Sequence, residues 1–282
     1  MKKLVFGLIV LAVTAVGIYS GVRLNARAKR QAAYKEALNK KAEQINWRSI
    51  EGWTNGEIAA DLDQKGIVSK TDFNAALAAE AQTFDYFGET PRKKSLEGYL
   101  FPDTYYLAKG ASAKGIIEKI LANTKSKITP DIIAEIHAQG KTVYDTLTLA
   151  SIVEREVGRN TATISSQDQS TLQNEREIVA GIFMNRLKIG MPLQSDATVN
   201  YITGSKNPSV SIQDTKINSP YNTYKYAGLP PGPIGNPSLN SILAVVHYRV
   251  TDYLYFLNKP DGTAVYAKTL DEHNANKAKY LK

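Results

Sequence analysis

The longest apolar stretch of the 282-residue chain lies near its N-terminus. Residues Leu4–Val22 (LVFGLIVLAVTAVGIYSGV) contain no charged side chain. At a rise of about 1.5 Å per residue, a helix of this length roughly matches the hydrocarbon thickness of a bilayer. The stretch therefore predicts an N-terminal transmembrane helix, with residues 1–25 as a short cytoplasmic tip and anchor. A signal peptide with Val13-Thr14-Ala15 as its cleavage site is the alternative.

The patterns that follow the apolar stretch predict helices. Residues 26–44 are rich in Ala, Lys and Glu and contain neither Gly nor Pro, which favours a helical stalk. Within residues 45–94, Thr54 is a candidate N-cap for a helix with an apolar i, i+4 pair. Ser69 or Thr71 is expected to begin a second helix.

Residues 95–282 mix helical and strand-like patterns. Apolar residues recur at helical spacing in several segments, which are 112–126, 130–139, 145–157, 174–188 and 238–248. Segments 252–258 and 263–269 alternate and are rich in aromatic or β-branched residues, which is typical of a strand pair joined by a turn. The polar residues Ser165–Ser170 are expected to form a mobile loop. The predicted fold class is therefore α+β.

Charge excludes one class of partner. The chain carries 35 Lys and Arg against 27 Asp and Glu, a net charge of +8. Six of these bases and none of the acids fall within the first 30 residues, so the rest of the chain holds 29 bases against 27 acids, a net charge of +2. The excess flanks the apolar stretch, and no basic surface for nucleic acid is predicted.

Metal and cofactor sites are not expected either. The chain has no cysteine, and its three histidines, His137, His247 and His273, lie far apart without metal-ligand spacing. No nucleotide-binding or serine-hydrolase motif occurs in the sequence. We therefore predict no bound metal and no cofactor.

One carboxylate stands out in the segment TLTLASIVEREV (146–157). At about 100° per residue, Glu156 falls on the apolar face of the predicted helix, whereas Glu154 falls off that face. Burial against apolar side chains disfavours the anion, so the pKa of Glu156 is expected to be raised, as a general acid requires. A structural ion pair of Glu156 with a buried arginine such as Arg176 or Arg186 is the alternative.

Six segments stand in an order that resembles a known family. They are LEGYLFPDTYYL (96–107), LTLASIVEREV (147–157), VAGIFMNRLKIGMPLQSDATVNY (179–201), SPYNTYKYAGLPPGPIGNPS (219–238), TDYLYF (251–256) and DEHN (271–274). Together they resemble the MltG/YceG family of membrane-anchored endolytic murein transglycosylases. The resemblance implies a mixed helix/strand catalytic domain at 95–282, preceded by a small LysM-like α/β domain at 45–94.

The family's chemistry implies a reaction in which no water attacks. The β-1,4 bond between N-acetylmuramic acid and N-acetylglucosamine is cleaved within a nascent glycan strand, which limits strand length. The muramyl C6 hydroxyl closes onto C1 and leaves a 1,6-anhydro end. One glutamate acts as acid and then as base. The resemblance assigns this role to Glu156, the second glutamate of a Glu-x-Glu pair. For Glu154 it implies either a supporting role at the substrate or a structural role.

Polar and aromatic residues in two other motifs are candidates for substrate binding, because oligosaccharide sites combine hydroxyl, amide and ring surfaces. They are Gln194, Ser195, Asp196, Tyr221, Asn222 and Thr223. We expect the first three on a loop or strand edge, where Asp196 either stabilises the oxocarbenium-like state or caps a turn. A plain turn is the alternative for residues 219–222. The Pro- and Gly-rich segment 228–237 is expected to be a rigid loop at the wall of the cleft.

The expected location follows from the substrate that the family implies. The catalytic domain is expected on the extracytoplasmic side of the bacterial cell membrane, where glycan strands and peptidoglycan synthases are its partners. The basic residues Arg23–Arg30 argue for the opposite orientation by the positive-inside rule. Two other functions stay open. One is a hydrolytic muramidase that uses Asp196 or Glu154 to activate water, and the other is a non-catalytic cell-wall adaptor.

Overall fold

The computed structural model of the chain describes residues 23, 26–27, 29–35, 43–157, 166–205, 207, 209–260 and 263–281. The predicted transmembrane helix at Leu4–Val22, and with it the alternative signal peptide, lies outside these residues. Within the described ranges, no helix is both long enough and apolar enough to span a bilayer.

The chain divides into two compact units. The first comprises Met1–Asn46 with Tyr106–Lys109, and the second comprises Trp47–Tyr105 with Gly110–Lys282. In the first unit, residues 29–35 are helical, as the composition of the predicted stalk indicates. The second unit holds the candidate functional residues.

Strand β1 (Gln44–Arg48) is followed by helices α1 (Asn55–Gln64) and α2 (Lys70–Thr83). Thr54 caps α1 as predicted, in a capping box: its hydroxyl accepts from the Glu57 N–H, while the Glu57 carboxylate accepts from the Thr54 N–H. The N-cap of α2 is Ser69 and not Thr71. Both caps satisfy amide groups that the first helical turn leaves without partners.

A short 3₁₀ helix (Tyr86–Gly88) leads into strand β2 (Thr104–Ala108), which pairs with β1. The side chains of β2 alternate between buried and exposed positions, with Tyr105 buried and Tyr106 exposed. The Tyr105 ring stacks on the Trp47 ring with centroids 5.8 Å apart. The sequence order around this sheet is therefore strand, helix, helix, strand.

Helices α3 (Ala113–Lys127), α4 (Pro130–Ala138) and α5 (Val143–Val157) agree with the predicted segments to within two residues. Helix α5 is the core of the second unit. Almost every residue from Leu147 to Glu156 is buried, because three later helices pack around α5, at Ser166–Lys188, Asp196–Thr203 and Leu239–Val246. Periodicity predicts one buried face, but the helix is buried on almost all sides. Glu154 is therefore buried as well as Glu156.

Helix α6 (Ser166–Lys188) begins eight residues before the predicted start at 174. The expectation of a loop at Ser165–Ser170 is wrong for residues 166–170, which form the first turns of α6. Ser170 is exposed, and the stretch up to Val179 contains no Gly or Pro. Solvent-facing helical turns have the same polar composition as a loop, so composition could not separate the two.

The rest of the chain completes the α+β architecture, which confirms the predicted class in its coarse form. Helices α7 (Asp196–Thr203) and α8 (Leu239–Val246) flank a long connection with a 3₁₀ turn at Asp214–Lys216. Strands β3 (Tyr255–Asn258) and β4 (Ala264–Ala267) form the predicted antiparallel pair, and α9 (Leu270–Tyr280) follows them. The described residues are mostly helical, with a two-stranded sheet at β1–β2 and another at β3–β4.

Candidate active site

Glu156 lies in the last turn of α5 with 8% of its surface exposed. Its Oε1 atom accepts a hydrogen bond from the Ser195 hydroxyl at 2.5 Å. The two residues are 39 positions apart in sequence, so the contact depends on the packing of α7 against the end of α5. A buried carboxyl that accepts a hydrogen bond from a hydroxyl can be oriented for proton transfer.

The position of Ser195 explains why its hydroxyl points to Glu156. Ser195 is the N-cap residue of α7, yet its side chain accepts no hydrogen bond from the first turn of that helix. Its backbone N–H donates to Thr223 Oγ1 at 3.1 Å, and its carbonyl accepts from Thr198 Oγ1 at 2.8 Å. The hydroxyls of Thr198 and Thr223 are also 2.8 Å apart. This network fixes the Ser195 backbone and leaves its side chain directed at the carboxyl of Glu156.

Asp196 and Tyr224 form a second pair close to Glu156. The Tyr224 hydroxyl donates to Asp196 Oδ1 at 2.5 Å. Burial raises the pKa of Tyr224, and the negative charges of Asp196 and Glu156 raise it further. Tyr224 therefore stays a neutral phenol at physiological pH. Asp196 is the first residue of α7, so the expectation of a loop or strand-edge position is wrong for it.

Arg186 supplies a buried positive charge to the same region. Its Nε donates to the Leu254 carbonyl at 2.7 Å and one terminal nitrogen donates to the Leu193 carbonyl at 2.6 Å. Burial lowers the pKa of Arg186, whereas Tyr255, Tyr224 and Glu156 oppose that shift. An arginine keeps its proton in such surroundings, so Glu156 lies within the field of a fixed cation. An electrostatic interaction between Arg186 and Glu156 is in line with the alternative, predicted from the sequence, that Glu156 pairs with a buried arginine.

The aromatic ring of Tyr255 connects Arg186 with the C-terminal DEHN segment. The Arg186 guanidinium carbon lies 5.2 Å from the centroid of the Tyr255 ring. The His273 ring stacks on the same Tyr255 ring, with the two centroids 5.2 Å apart. Burial and the charges of Lys277 and Arg186 lower the pKa of His273. His273 is therefore neutral at pH 7 and packs as an aromatic side chain.

Glu154 has a different set of partners from Glu156. Its Oε2 atom accepts from the Ser238 backbone N–H at 2.9 Å and from the Ser238 hydroxyl, at the start of α8. Its Oε1 atom lies 3.8 Å from the guanidinium of Arg176, and both side chains are buried. Helix α6 presents Arg176 to Glu154, whereas the alternative predicted from the sequence paired Arg176 with Glu156.

The remaining candidate residues are distributed around this centre. Gln194 is exposed with a φ of 50°, and Thr223 is buried in the network of Ser195. Asn222 is fully buried, and its side-chain amide donates to the carbonyls of Thr215 and Ile217. Tyr221 is partly buried, with its ring 5.0 Å from that of Tyr201. The structure thus brings Ser195 and Thr223 together at Glu156, whereas Asn222 holds the neighbouring loop.

The Pro- and Gly-rich segment 228–237 lies along α5. The Tyr144 hydroxyl donates to the Pro231 carbonyl at 2.6 Å, and the Ile234 N–H donates to the Ser151 hydroxyl at 3.0 Å. A Cβ atom at Gly235 would lie 2.4 Å from the Gly52 carbonyl oxygen, so only glycine fits there. The segment is fixed at several points, which agrees with the expected rigid loop.

Sequence reasoning did not propose Tyr224 as a site residue. The signal was its place directly after the candidate residues Tyr221, Asn222 and Thr223, in a run with little apolar character. Across the described ranges, no group of His, Asp or Glu residues is arranged to hold a metal ion. The site is therefore built from one glutamate with hydroxyl, phenol and guanidinium neighbours.

Comparisons with known proteins agree with this arrangement. The chain is 38% identical over 232 residues to the endolytic murein transglycosylase of Bacillus subtilis (strain 168), which covers 81% of this chain and 59% of that protein. It is 33% identical over 258 residues to the endolytic murein transglycosylase of Streptococcus pneumoniae serotype 2 (strain D39), which covers 82% and 44%. A crystal structure of a YceG-like protein from Listeria monocytogenes matches with a TM-score of 0.70 at 32% identity, over 82% of this chain and 76% of that chain.

The matches cover a larger share of this chain than of its two curated relatives. The chain spans between 44% and 59% of the length of the two curated relatives. The model of the YceG-like family matches residues 14–279, which include Glu154, Glu156, Ser195 and Tyr224. On this match, the chain belongs to the YceG-like family.

Proposed function

We propose that the chain is an endolytic lytic transglycosylase that cleaves peptidoglycan glycan strands, with Glu156 as its acid and base. The observation that carries the proposal is the buried Glu156 carboxyl, held by the Ser195 hydroxyl at 2.5 Å within reach of the Arg186 charge. The names of the two curated relatives support the choice of reaction. Cleavage occurs within the strand, between N-acetylmuramic acid and N-acetylglucosamine.

The reaction needs one proton, which Glu156 first donates and later takes back. Glu156 donates its proton to the glycosidic oxygen, the bond from that oxygen to the muramyl C1 breaks, and positive charge develops at C1. The muramyl C6 hydroxyl oxygen then bonds to C1, and its proton passes to the Glu156 carboxylate. The products are a 1,6-anhydro end and a free hydroxyl, and the enzyme regains its acid form.

The neighbours of Glu156 have separate tasks in this scheme. The Ser195 hydroxyl donates to Oε1 and fixes the orientation of the Glu156 carboxyl that donates the proton. Arg186 stabilises the Glu156 carboxylate that exists between the two proton transfers. The Asp196 side chain, held by the Tyr224 hydroxyl, is the acidic group proposed to stabilise the positive charge at C1. The raised pKa expected for Glu156 stays a prediction, which a pH–rate profile tests.

The hydrolytic alternative requires a second carboxylate that activates water. Glu154 is a poor candidate, since Ser238 and Arg176 occupy its two oxygens. Asp196 is the remaining candidate. The two reactions differ in product: a transglycosylase leaves 1,6-anhydro ends and a muramidase leaves reducing muramic ends. Mass spectrometry of purified glycan strands after digestion separates them, and reducing ends alone would reject the proposed reaction. Intact strands after prolonged digestion would favour the non-catalytic adaptor.

Location and domain organisation belong to the proposal as well. An anchor within residues 1–25 and a stalk at 26–44 would place a LysM-like domain (45–94) and the catalytic domain (95–282) outside the cytoplasm, beside peptidoglycan synthases. The charge-free run at Leu4–Val22 supports the anchor. A protease-protection assay on intact cells tests the orientation: digestion of residues 95–282 from the outside supports it, and protection of these residues would contradict it.

A further inference from the structure

The C-terminal helix α9 packs on the β3–β4 hairpin without adding to the buried core. The structure describes all of its residues, from Leu270 to Tyr280, and none of them is buried. Its half-buried residues are His273, Asn276 and Tyr280, which recur at helical spacing and form one face. The Nζ atom of Lys259, directly after β3, lies 5.4 Å from the centroid of the Tyr280 ring. Because α9 buries so little apolar surface, it contributes little hydrophobic stabilisation to the fold.

His273 joins α9 to strand β3. Its ring stacks on the ring of Tyr255, the first residue of β3, with the two planes inclined by 24°. Both side chains are half-buried. Burial and the positive charges of Lys277 and Arg186 lower the pKa of His273. The neutral imidazole therefore packs on the phenol ring without adding a charge to it.

The Tyr255 ring also contacts the guanidinium of Arg186, whose carbon lies 5.2 Å from the ring centroid. Two donors of this guanidinium bind the backbone carbonyls of Leu254 and Leu193. The hydrogen bonds set the distance of the guanidinium from two carbonyls, and the ring supplies a third contact. Arg186 therefore depends on the Tyr255 ring as well as on its hydrogen bonds for its position.

The position of Arg186 matters because its charge acts on Glu156. The titratable groups that interact with Arg186 are Tyr255 of β3, Tyr224 of the connection after α7, and Glu156 of α5. The interaction is mutual, so the positive charge of Arg186 favours the carboxylate form of Glu156. An electrostatic interaction weakens as the two charges move apart. A displaced guanidinium would therefore stabilise the Glu156 carboxylate less.

We propose that His273 and Tyr255 are positioning residues for the reaction. The His273 ring holds Tyr255, and Tyr255 holds the Arg186 guanidinium at the place from which its charge stabilises the Glu156 carboxylate. The inference rests on the proposed function, because this carboxylate exists between the two proton transfers. Without the stack, Arg186 stays charged and hydrogen-bonded but moves more freely relative to Glu156. Helix α9 thus serves the reaction more than it serves the stability of the fold.

The direct test is His273→Ala, which removes the ring at a half-buried position where alanine favours the helix. We expect kcat for the cleavage of purified glycan strands to fall by about tenfold, with KM within about twofold of the wild type. His273→Phe keeps a ring for the stack and should restore about half of the wild-type rate or more. The control is Lys279→Ala, at an exposed position of the same helix outside the stack, which should keep the wild-type rate. Thermal unfolding establishes that the three variants fold.

The pH–rate profile gives a readout that a purely structural role of His273 would not move. The rate falls at high pH as the general acid loses its proton, so this limb of the profile reports the ionisation of Glu156. A guanidinium that moves away from Glu156 favours the carboxylate less, so the limb of His273→Ala should shift to higher pH. His273→Phe has no titratable group at this position. A limb in His273→Phe that matches the wild type therefore assigns the limb to Glu156 and not to His273.

A double substitution tests whether His273 acts through Tyr255. Tyr255→Leu removes the ring that contacts both His273 and Arg186, so kcat should fall by about tenfold or more. In this background the second substitution, His273→Ala, should lower kcat by less than about twofold, because the ring through which His273 acts is already absent. Independent losses that multiply in the double variant would contradict the proposed order of contacts.

Failure of this inference and failure of the proposed function give different results. If the wild-type chain cleaves strands and folded His273→Ala does so at the same rate, the reaction stands and the positioning role is wrong. Equal losses of rate in His273→Ala and His273→Phe would also overturn the positioning role, because the stacked ring would then not be the cause. If the wild-type chain leaves the strands intact, the proposed function is wrong, and the positioning role is overturned with it.

Discussion

Two glutamates of helix α5, separated by one residue, contact different residues. Glu154 and Glu156 are 4% and 8% exposed, so burial alone does not distinguish them. Glu154 accepts two hydrogen bonds from Ser238 and faces the Arg176 guanidinium at 3.8 Å. Glu156 accepts from the Ser195 hydroxyl and lies in the field of Arg186, whose own donors bind backbone carbonyls.

The difference shows how the same side chain serves structure or chemistry. The Glu154 carboxylate, with a nearby cation on α6 and two donors from Ser238, joins α5, α6 and the start of α8. The Glu156 carboxyl accepts from the Ser195 hydroxyl, which orients it at the contact between α5 and α7. The comparison therefore predicts that substitution of Glu154 affects folding and that substitution of Glu156 affects the reaction.

The largest expected effect is the loss of activity in Glu156→Gln. The amide keeps the shape and the acceptor for Ser195 but has no proton to transfer, so the cleavage rate should fall by about a thousandfold or more. Release of soluble fragments from purified glycan strands measures the rate, and the melting temperature should stay close to that of the wild type. Retention of more than a tenth of the activity would contradict the assignment.

Glu154→Gln should have the converse effect. The amide still accepts from the Ser238 N–H, but the buried Arg176 loses its counter-charge, so the free energy of unfolding should fall by about 2 kcal/mol or more. Denaturant unfolding measures this loss. Activity per folded molecule should stay within a few-fold of the wild type at a temperature where the variant is folded. An unchanged stability together with a lost activity would reverse the roles of the two glutamates.

Ser195→Ala tests whether the hydrogen bond to Glu156 contributes to the reaction. The variant removes the hydroxyl that orients the Glu156 carboxyl, and the rate should fall by about tenfold to a hundredfold with a changed pH–rate profile. Thr198→Ser is the control, since it keeps the hydroxyl that binds the Ser195 carbonyl. A rate equal to that of the wild type would mean that the hydrogen bond to Glu156 has no role in the reaction.

The smallest expected effect is the pH dependence of stability contributed by Glu97. Its pKa is about 8 in the folded chain against an ordinary value of 4.5, so the folded state binds more protons between these values. The free energy of unfolding contributed by this group is greatest below pH 4.5 and is lost as the pH rises to about 8. Glu97→Gln should remove that decline, as measured by denaturant unfolding from pH 5 to pH 9. An identical slope in both proteins would refute the shift.

Local parts of the fold could be read from the sequence. Thr54 is predicted as the N-cap of the first helix of the 45–94 region, and helical periodicity places Glu156 on a buried face of α5. Alternation and a turn predict the β3–β4 hairpin. In each case the signal lies within a few residues of the feature that it predicts.

Long-range contacts could not be read in the same way. The side-chain amide of Asn236 binds Asn55, 181 positions away. The contact between Arg176 and Glu154 depends on the packing of α6 against α5. The polar start of α6 has a loop-like composition, so its helical form depends on a context that composition does not contain. Family motifs supplied the candidate residues, whereas packing decides which of them meet.

The most direct test of the account is digestion of purified glycan strands in water enriched in heavy oxygen, followed by mass spectrometry of the new ends. If Glu156 directs attack by the muramyl C6 hydroxyl, the wild-type chain yields 1,6-anhydro ends that contain no oxygen from the solvent, and Glu156→Gln yields none. New reducing ends that carry one heavy oxygen atom would contradict the account, because water would then be the nucleophile.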